Sequence, residues 1–316
     1  MRLKIGTRGS ALALWQARLV ASNITRLDPG ISVELITIKT QGDKILDAPL
    51  SKIGGKGLFT KEIEDALLDG RVDLAVHSMK DVPTQLLGGL QLAAIMKRED
   101  PRDVFISLDD RKLDDLERGS RVGTSSLRRT AFLLNRFPKL EVVSVRGNLE
   151  TRLRKIETEN LSGVMLAAAG MIRMGLAGRI TSYVDPEFII PAIGQGALAI
   201  ETRENDRVVE TITARLNHPE TAQCIGVERA FLHRMGGGCQ VPMAAHCVCE
   251  GDVFNVMAAV VHPDGMPIVR HAYRGPRGDT GIGTMMADFL IERGASDILK
   301  TVLGEDWEPG PATRPT

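Results

Sequence analysis

Apolar positions along the chain switch repeatedly between a period of two and a period of 3.6. Leu3 and Ile5 flank Lys4 as in a short strand, and Leu12, Trp15 and Leu19 then share one helical stripe, with Ser10 placed as its N-cap. Residues 33–38 alternate as a second strand, 61–69 carry a helical pattern, and 72–76 read as a short buried strand running into His77-Ser78-Met79-Lys80-Asp81-Val82-Pro83. The theme returns from about residue 100. Val122 leads into Gly123-Thr124-Ser125-Ser126 and a helix over 127–137, and strands over 142–145 and 164–167 end at Arg146-Gly147-Asn148 and Ala168-Ala169-Gly170. This alternation predicts an α/β architecture with mainly parallel sheets.

Residues 191–196 read as a crossing segment, and the strand over 197–201 is expected to return to the first unit. Two α/β halves joined by paired crossovers would form a hinged cleft. The last third changes character: a helix over 221–235, the run Gly236-Gly237-Gly238-Cys239, three strands over 241–250, 253–262 and 267–274, and helices over 284–294 and 295–303. The tail 305–316, with three prolines, is expected to be disordered.

Composition narrows the functional classes. At about 150 residues per domain, 316 residues predict two or three domains. Charges cancel, 40 basic against 40 acidic, so no overall field draws the chain to nucleic acid or an anionic membrane. No run of 18 apolar residues occurs, the first residues lack a signal-peptide pattern, and the four cysteines do not form a secreted disulfide framework. A cytoplasmic protein with reduced thiols is expected, and a monomer. The neutral total hides 28 Arg against 12 Lys. Arginine offers a planar fork that grips carboxylate or phosphate with two bonds, which lysine cannot do.

Several arginines sit at strand-to-helix junctions: Arg8 after Gly6-Thr7, the pair Arg128-Arg129 after Thr124-Ser125-Ser126, Arg146 and Arg152 around Gly147-Asn148, and Arg173 before Gly175. Helix starts present free N–H groups to anions, and the same residues also serve as plain caps. No Walker loop or dinucleotide fingerprint is present, which points to a carboxylate array rather than a nucleotide. The loop around Lys52, Lys56 and Phe59 reads either as a solvated surface loop or as a lid over a bound anion. Asp81 reads either as a turn aspartate or, at the carboxyl end of a strand, as a residue facing the ligand crevice. Cys239 is a buried inert thiol, a derivatised one, or a member of a metal site with His233, His246, Cys247 and Cys249. The C-x-C pair is not a zinc-knuckle spacing, and no metal is expected.

Taken together these segments resemble the porphobilinogen deaminases, also called hydroxymethylbilane synthases. The resemblance rests on Gly-Thr-Arg-Gly-Ser at 6–10, Ala-Leu-Trp-Gln at 13–16, Gly-Gly-Lys-Gly-Leu-Phe at 54–59 and Ala-Val-His-Ser-Met-Lys-Asp-Val-Pro at 75–83. It continues through Arg-Glu-Asp-Pro-Arg-Asp at 98–103, Gly-Thr-Ser-Ser-Leu-Arg-Arg at 123–129 and Arg-Gly-Asn at 146–148 with Thr-Arg-Leu at 151–153. Pro-Ala-Ile-Gly-Gln-Gly at 191–196 and Gly-Gly-Cys-Gln-Val-Pro at 237–242 complete it. Gly9 and Gly236 stand at positions that vary in the family.

The resemblance implies two hinged α/β domains like those of periplasmic binding proteins (1–97 with 196–216, and 102–191) and a smaller α+β domain over 219–304. It also implies an enzyme that condenses four porphobilinogen molecules, with loss of ammonia, into hydroxymethylbilane. The cofactor would be a dipyrromethane joined to Cys239 by a thioether. Asp81 would be catalytic. Lys80, Ser78, Thr124, Ser125, Ser126, Arg128, Arg129 and Arg146 would hold the cofactor. Arg8, Ser10, Gln16, Phe59, Arg152, Arg173 and Gln195 would bind substrate, with Lys52 and Lys56 on the lid. Each pyrrole carries an acetate and a propionate, so a dense set of fixed cations is what such a ligand needs.

Overall fold

The computed structural model describes residues 1–44, 58–237 and 241–312. It divides into two compact units, one of Met1–Glu99 with Ala197–Gln223, the other of Asp100–Gly196 with the chain from Cys224 onward.

In the first unit, β1 (Arg2–Thr7), β2 (Ser32–Thr37), β3 (Leu74–Ser78), β4 (Leu90–Ile95) and β10 (Leu198–Arg203) form one sheet in the order β2-β1-β3-β10-β4. Helix α1 (Ala11–Leu27) begins where Ser10 accepts a hydrogen bond from the Ala13 amide. Its Ala17, Val20 and Ile24 are buried against Leu3, Ile5, Leu74, Val76 and Ile200. The opposite face is covered by Ile63, Ala66 and Leu67 of α3 (Lys61–Leu68), which meet Ile38, Val72 and Ala75. A short helix α2 (Gln41–Lys44) precedes the segment outside the described residues. With apolar side chains buried on both faces, each worth about 1.5–3 kcal/mol, the sheet is a central layer.

The second unit repeats the plan. Strands β5 (Asp103–Ile106), β6 (Arg121–Gly123), β7 (Glu141–Val143), β8 (Gly163–Ala167) and β9 (Ser182–Tyr183) run in the order β7-β6-β8-β5-β9. Helices α4 (Leu127–Arg136), α5 (Leu149–Thr158) and α6 (Ala168–Arg173) follow β6, β7 and β8. The same unit holds a three-stranded antiparallel sheet, β11 (Met243–Glu250), β12 (Val253–Val261) and β13 (Ile268–Pro276), in that order. One face of this sheet packs beneath helices α7 (Pro219–Arg234), α8 (Ile282–Leu290) and α9 (Ser296–Leu303) through Phe231, Phe254, Val256, Met286 and Leu299. The other face sends Ala244, Ala259 and Val261 into the core around Phe105 and Phe132. The α/β class with a smaller α+β part is thus the one expected.

Two expectations are refined and one is overturned. Both five-stranded sheets are mixed: β1 pairs parallel with β2 and β3, whereas β10 runs antiparallel to β3 and β4. In the second sheet β5 is the antiparallel strand, against β8 and β9. Residue period records which face a strand buries, and it carries no direction. The helix expected over 284–294 begins at Ile282; its α-turns end at Leu290, one wider turn follows over Ile291–Ala295, and the helical backbone breaks at Arg293 and Gly294, where the glycine takes a positive φ of 99°. The tail is not loose as far as residue 312. The Trp307 indole donates to Met235 O at 3.1 Å, and Gly310 N donates to Arg234 O at 2.9 Å. None of the described helices is long and apolar enough to cross a membrane.

Candidate functional site

In the first unit the candidate residues Gln16, Ser78, Lys80 and Asp81 gather where β3 ends. Strand β3 gives way at Ser78 to a single tight turn, Met79–Asp81, closed by Val82 N donating to Met79 O at 3.2 Å. Met79 is buried, and its amide donates to Ala197 O at 3.0 Å, so the turn is fastened to the segment leading into β10. From the other side the buried Gln16 of α1 donates through Nε2 to Ser78 Oγ at 3.1 Å. Lys80 and Asp81 thus stand, half-buried, on a turn fixed at both shoulders. Beneath it His77 Nε2 lies 2.9 Å from Glu201 Oε2, a buried cross-strand pair.

Arg8 leaves the end of β1 and donates through Nε to Asp43 Oδ1 at 3.1 Å, with Nη2 reaching the same oxygen. Its guanidinium lies 4.2 Å from the centroid of the Phe59 ring. Burial would raise the Asp43 carboxyl, but the bond and charge of Arg8 and the bonds from Thr40 outweigh it and hold the carboxyl below its ordinary value. Lys52 and Lys56 lie outside the described residues.

In the second unit the arginine pair of α4 converges on one acid. Ser126 caps the helix, accepting from Arg129 N at 3.4 Å, and its own amide donates to Thr124 Oγ1 at 3.2 Å. Arg129 donates through Nε and Nη2 to Asp103 Oδ1 and through Nη1 to Met165 O. Arg128 Nη1 lies 2.7 Å from Asp103 Oδ2 and donates to Ile190 O at 2.7 Å. Gln195 Nε2 donates to Asp103 Oδ1 at 2.9 Å and to Pro101 O at 2.7 Å. Asp103 has no exposed surface. Burial alone would raise its carboxyl, but the charges of Arg128 and Arg129 hold it far below the usual carboxylate range. Two guanidiniums against one carboxylate leave a net positive charge sealed beside the capped start of α4, a setting that suits an anion.

The remaining arginines are also held. Arg152 Nε donates to Gly147 O at 2.9 Å, while Asn148 caps α5 by accepting from Thr151 N at 2.8 Å. Gly147 has φ of 113°, and a Cβ there would come within 2.6 Å of Thr151 Cγ2, so the turn carrying Arg146 requires glycine. Arg173, buried, donates through Nη2 to Gly196 O at 2.6 Å.

Cys239 lies outside the described residues, with Gly238 and Gln240. The chain on either side is anchored: Met235 is fully buried, Val241 is buried, and Val261 N donates to Pro242 O at 3.0 Å.

Two acids outside the expected set, Asp103 and Asp43, are in contact with these arginines. Asp103 carried a usable signal, a charge opening the otherwise apolar strand Asp103-Val104-Phe105-Ile106. Asp43 carried none.

A family described as "Porphobilinogen deaminase, dipyromethane cofactor binding domain" matches residues 3–211, and "Porphobilinogen deaminase, C-terminal domain" matches 222–284. The porphobilinogen deaminase of Trichlorobacter lovleyi is 52% identical over 302 residues, covering 95% of this chain and 96% of that one. That of Syntrophotalea carbinolica is 51% identical over 298 residues, covering 94% and 95%. Among solved structures, the methionine-binding protein MetQ overlaps 67% of this chain and 89% of its own at 17% identity, with a TM-score of 0.42.

Proposed function

The chain belongs to the porphobilinogen deaminase family, and on that premise we propose which of its residues carry the reaction. It is a transferase that joins four porphobilinogen molecules, with loss of ammonia, into the linear tetrapyrrole hydroxymethylbilane, using a dipyrromethane cofactor.

The cofactor's side chains are carboxylates, and the surplus positive charge of Arg128 and Arg129 over Asp103, next to Thr124, Ser125 and Ser126, fits such a group. Arg128, Arg129, Arg146, Lys80, Ser78 and the three hydroxyl residues would hold it, and Cys239 would bear it through a thioether. When bound, the dipyrromethane supplies the nucleophilic pyrrole carbon on which the chain of four is built. Arg8, Arg152 and Arg173 take the acetate and propionate groups of incoming porphobilinogen, with Ser10, Gln16, Gln195 and Phe59 completing that surface. Lys52 and Lys56 add cations from the lid.

Asp81 is the catalytic residue. Loss of ammonia from porphobilinogen leaves positive charge on its ring, shared with the ring N–H. A carboxylate fixed against that N–H stabilises charge where it develops, without reorganising during the reaction. The same group is suited to move the proton released on carbon–carbon bond formation. The observation that carries this assignment is the turn itself. Met79 N to Ala197 O on one shoulder and Gln16 to Ser78 on the other preorganise the residue that follows Lys80.

The working unit in this reading is a monomer. Among the described residues Cys224, Cys247 and Cys249 are in no disulfide, which agrees with a reducing, cytoplasmic setting. Intact mass after acid denaturation tests the attachment. The chain should weigh more than its sequence by two pyrrole units, and Cys239→Ser should remove the excess. A Cys239→Ser protein that keeps it would move the attachment elsewhere.

A further inference from the structure

The surroundings of Arg8 give a task to a residue outside the set above. One face of its guanidinium lies over Phe59, at 4.2 Å from the ring centroid. Its side edge, Nε with Nη2, is on Asp43 Oδ1. Asp43 is itself held from behind: Oδ2 accepts from Thr40 N at 3.2 Å and from Thr40 Oγ1 at 2.9 Å. Thr40 has no exposed surface, whereas the Arg8 and Asp43 side chains are each 26% exposed. The pair therefore stands at the surface of the first unit on a buried footing. Ordinary surface pairs exchange partners freely. This carboxylate has both oxygens fixed.

A guanidinium offers a carboxylate two bidentate edges. With the side edge on Asp43 and one face on Phe59, the end edge, Nη1 with the second hydrogen of Nη2, is the one presented. We propose that Asp43 is a positioning residue that fixes Arg8 for end-on capture of a substrate carboxylate and thereby sets the affinity for porphobilinogen. The inference rests on the assignment of Arg8 to substrate binding. An arginine ordered in advance does not lose its rotamer freedom on binding, so the ligand is held more tightly.

Charge and position predict opposite signs here. If Asp43 acted only through its negative charge, neutralising it would strengthen binding of an anionic substrate and lower KM. Positioning predicts the reverse. In the cofactor-loaded enzyme Asp43→Asn should raise KM for porphobilinogen about five- to tenfold with kcat changed less than twofold, a loss of binding common to ground and transition states. Thr40→Val keeps both charges and removes one anchor of Asp43, and it should raise KM in the same direction by a smaller factor. In an Arg8→Lys background, which has no fork to orient, Asp43→Asn should add nothing. A KM that falls or stays level in Asp43→Asn, while Arg8→Lys raises it, overturns the positioning role and leaves Arg8 in place. An unchanged KM in Arg8→Lys overturns the assignment of Arg8 itself.

Discussion

Arg129 grips Asp103 side-on, with Nε and Nη2 both donating to Oδ1, at 3.0 and 2.8 Å. Arg128 takes Oδ2 at 2.7 Å, and Gln195 adds a third donor to Oδ1. All four polar groups are buried. Removing one partner of a buried charge cluster costs far more than the cluster gains over an apolar core, because the orphaned charges stay desolvated. Asp103→Asn leaves two guanidiniums facing one another and should lower stability by about 3–5 kcal/mol, read as a shift in the urea midpoint. The acid limb of the stability curve should change as well. The folded carboxyl titrates below its ordinary 3.8, so its contribution is complete above that value and is lost as pH falls below it. The wild-type chain should lose stability steeply in that window, and the asparagine variant should not.

Asp81→Asn keeps the shape of the turn and removes the charge. Its shoulders use the Met79 amide, Ser78 and Gln16, none of which the change touches. Cofactor mass should therefore be retained, while turnover falls by about two to three orders of magnitude, the scale of one lost preorganised electrostatic contact. Single-turnover measurements with porphobilinogen check this. Near-normal turnover would remove Asp81 from the mechanism.

Glu64 presents the opposite titration. It is buried on α3, its Oε1 has no hydrogen-bond partner among the described residues, and Glu201 lies near enough to matter. Burial first, then the charge of Glu201, raise its carboxyl above the ordinary 4.5. A carboxyl raised on folding favours the folded state while protonated and opposes it as pH rises through the folded value. Glu64→Gln removes that penalty and should raise the melting temperature at pH 7.5 by several degrees, with the gain shrinking toward pH 4. A gain equal at both pH values would show that titration is not its source.

Local features were legible in the sequence, and relationships across long separations were not. The Ser10 cap and the existence of α1 follow from residues three or four apart, but the expected stripe of Leu12, Trp15 and Leu19 is only half-buried, and Ala17, Val20 and Ile24 are the side chains that enter the core. The candidate residues Ser78, Lys80 and Asp81 stand out as motif positions because they sit where β3 ends and the sequence breaks its apolar run. The Asp103 cluster joins residues 25 to 92 positions apart along the chain, and nothing local to Arg128 or Arg129 states that their forks turn inward to an acid. Strand direction escaped for a related reason. Strands β5 and β10 each join the sheet antiparallel to their neighbours, a fact of topology that residue alternation does not carry. The three prolines of the tail suggest disorder, whereas its anchor is a single residue, Trp307, whose contact with Met235 no local pattern states.

That tryptophan leads to the last prediction. Its ring packs on the core of the three-stranded sheet, and its Nε1 donates to Met235 O at 3.1 Å. The neighbouring Gly236 has φ of 60°, and a Cβ there would meet Glu308 O at 3.0 Å, so the tail lies close over the turn that leads to Cys239. Trp307→Ala removes half-buried apolar surface and one hydrogen bond, and it should cost about 2 kcal/mol, below the range for a fully buried tryptophan. Trp307→Phe keeps most of the ring and removes only the N–H, leaving Met235 O without that donor, and it should cost about 1 kcal/mol. Thermal unfolding of the two variants separates packing from the hydrogen bond. Equal losses would mean that the N–H dominates, and no loss in either would mean that the tail contributes nothing to holding this turn.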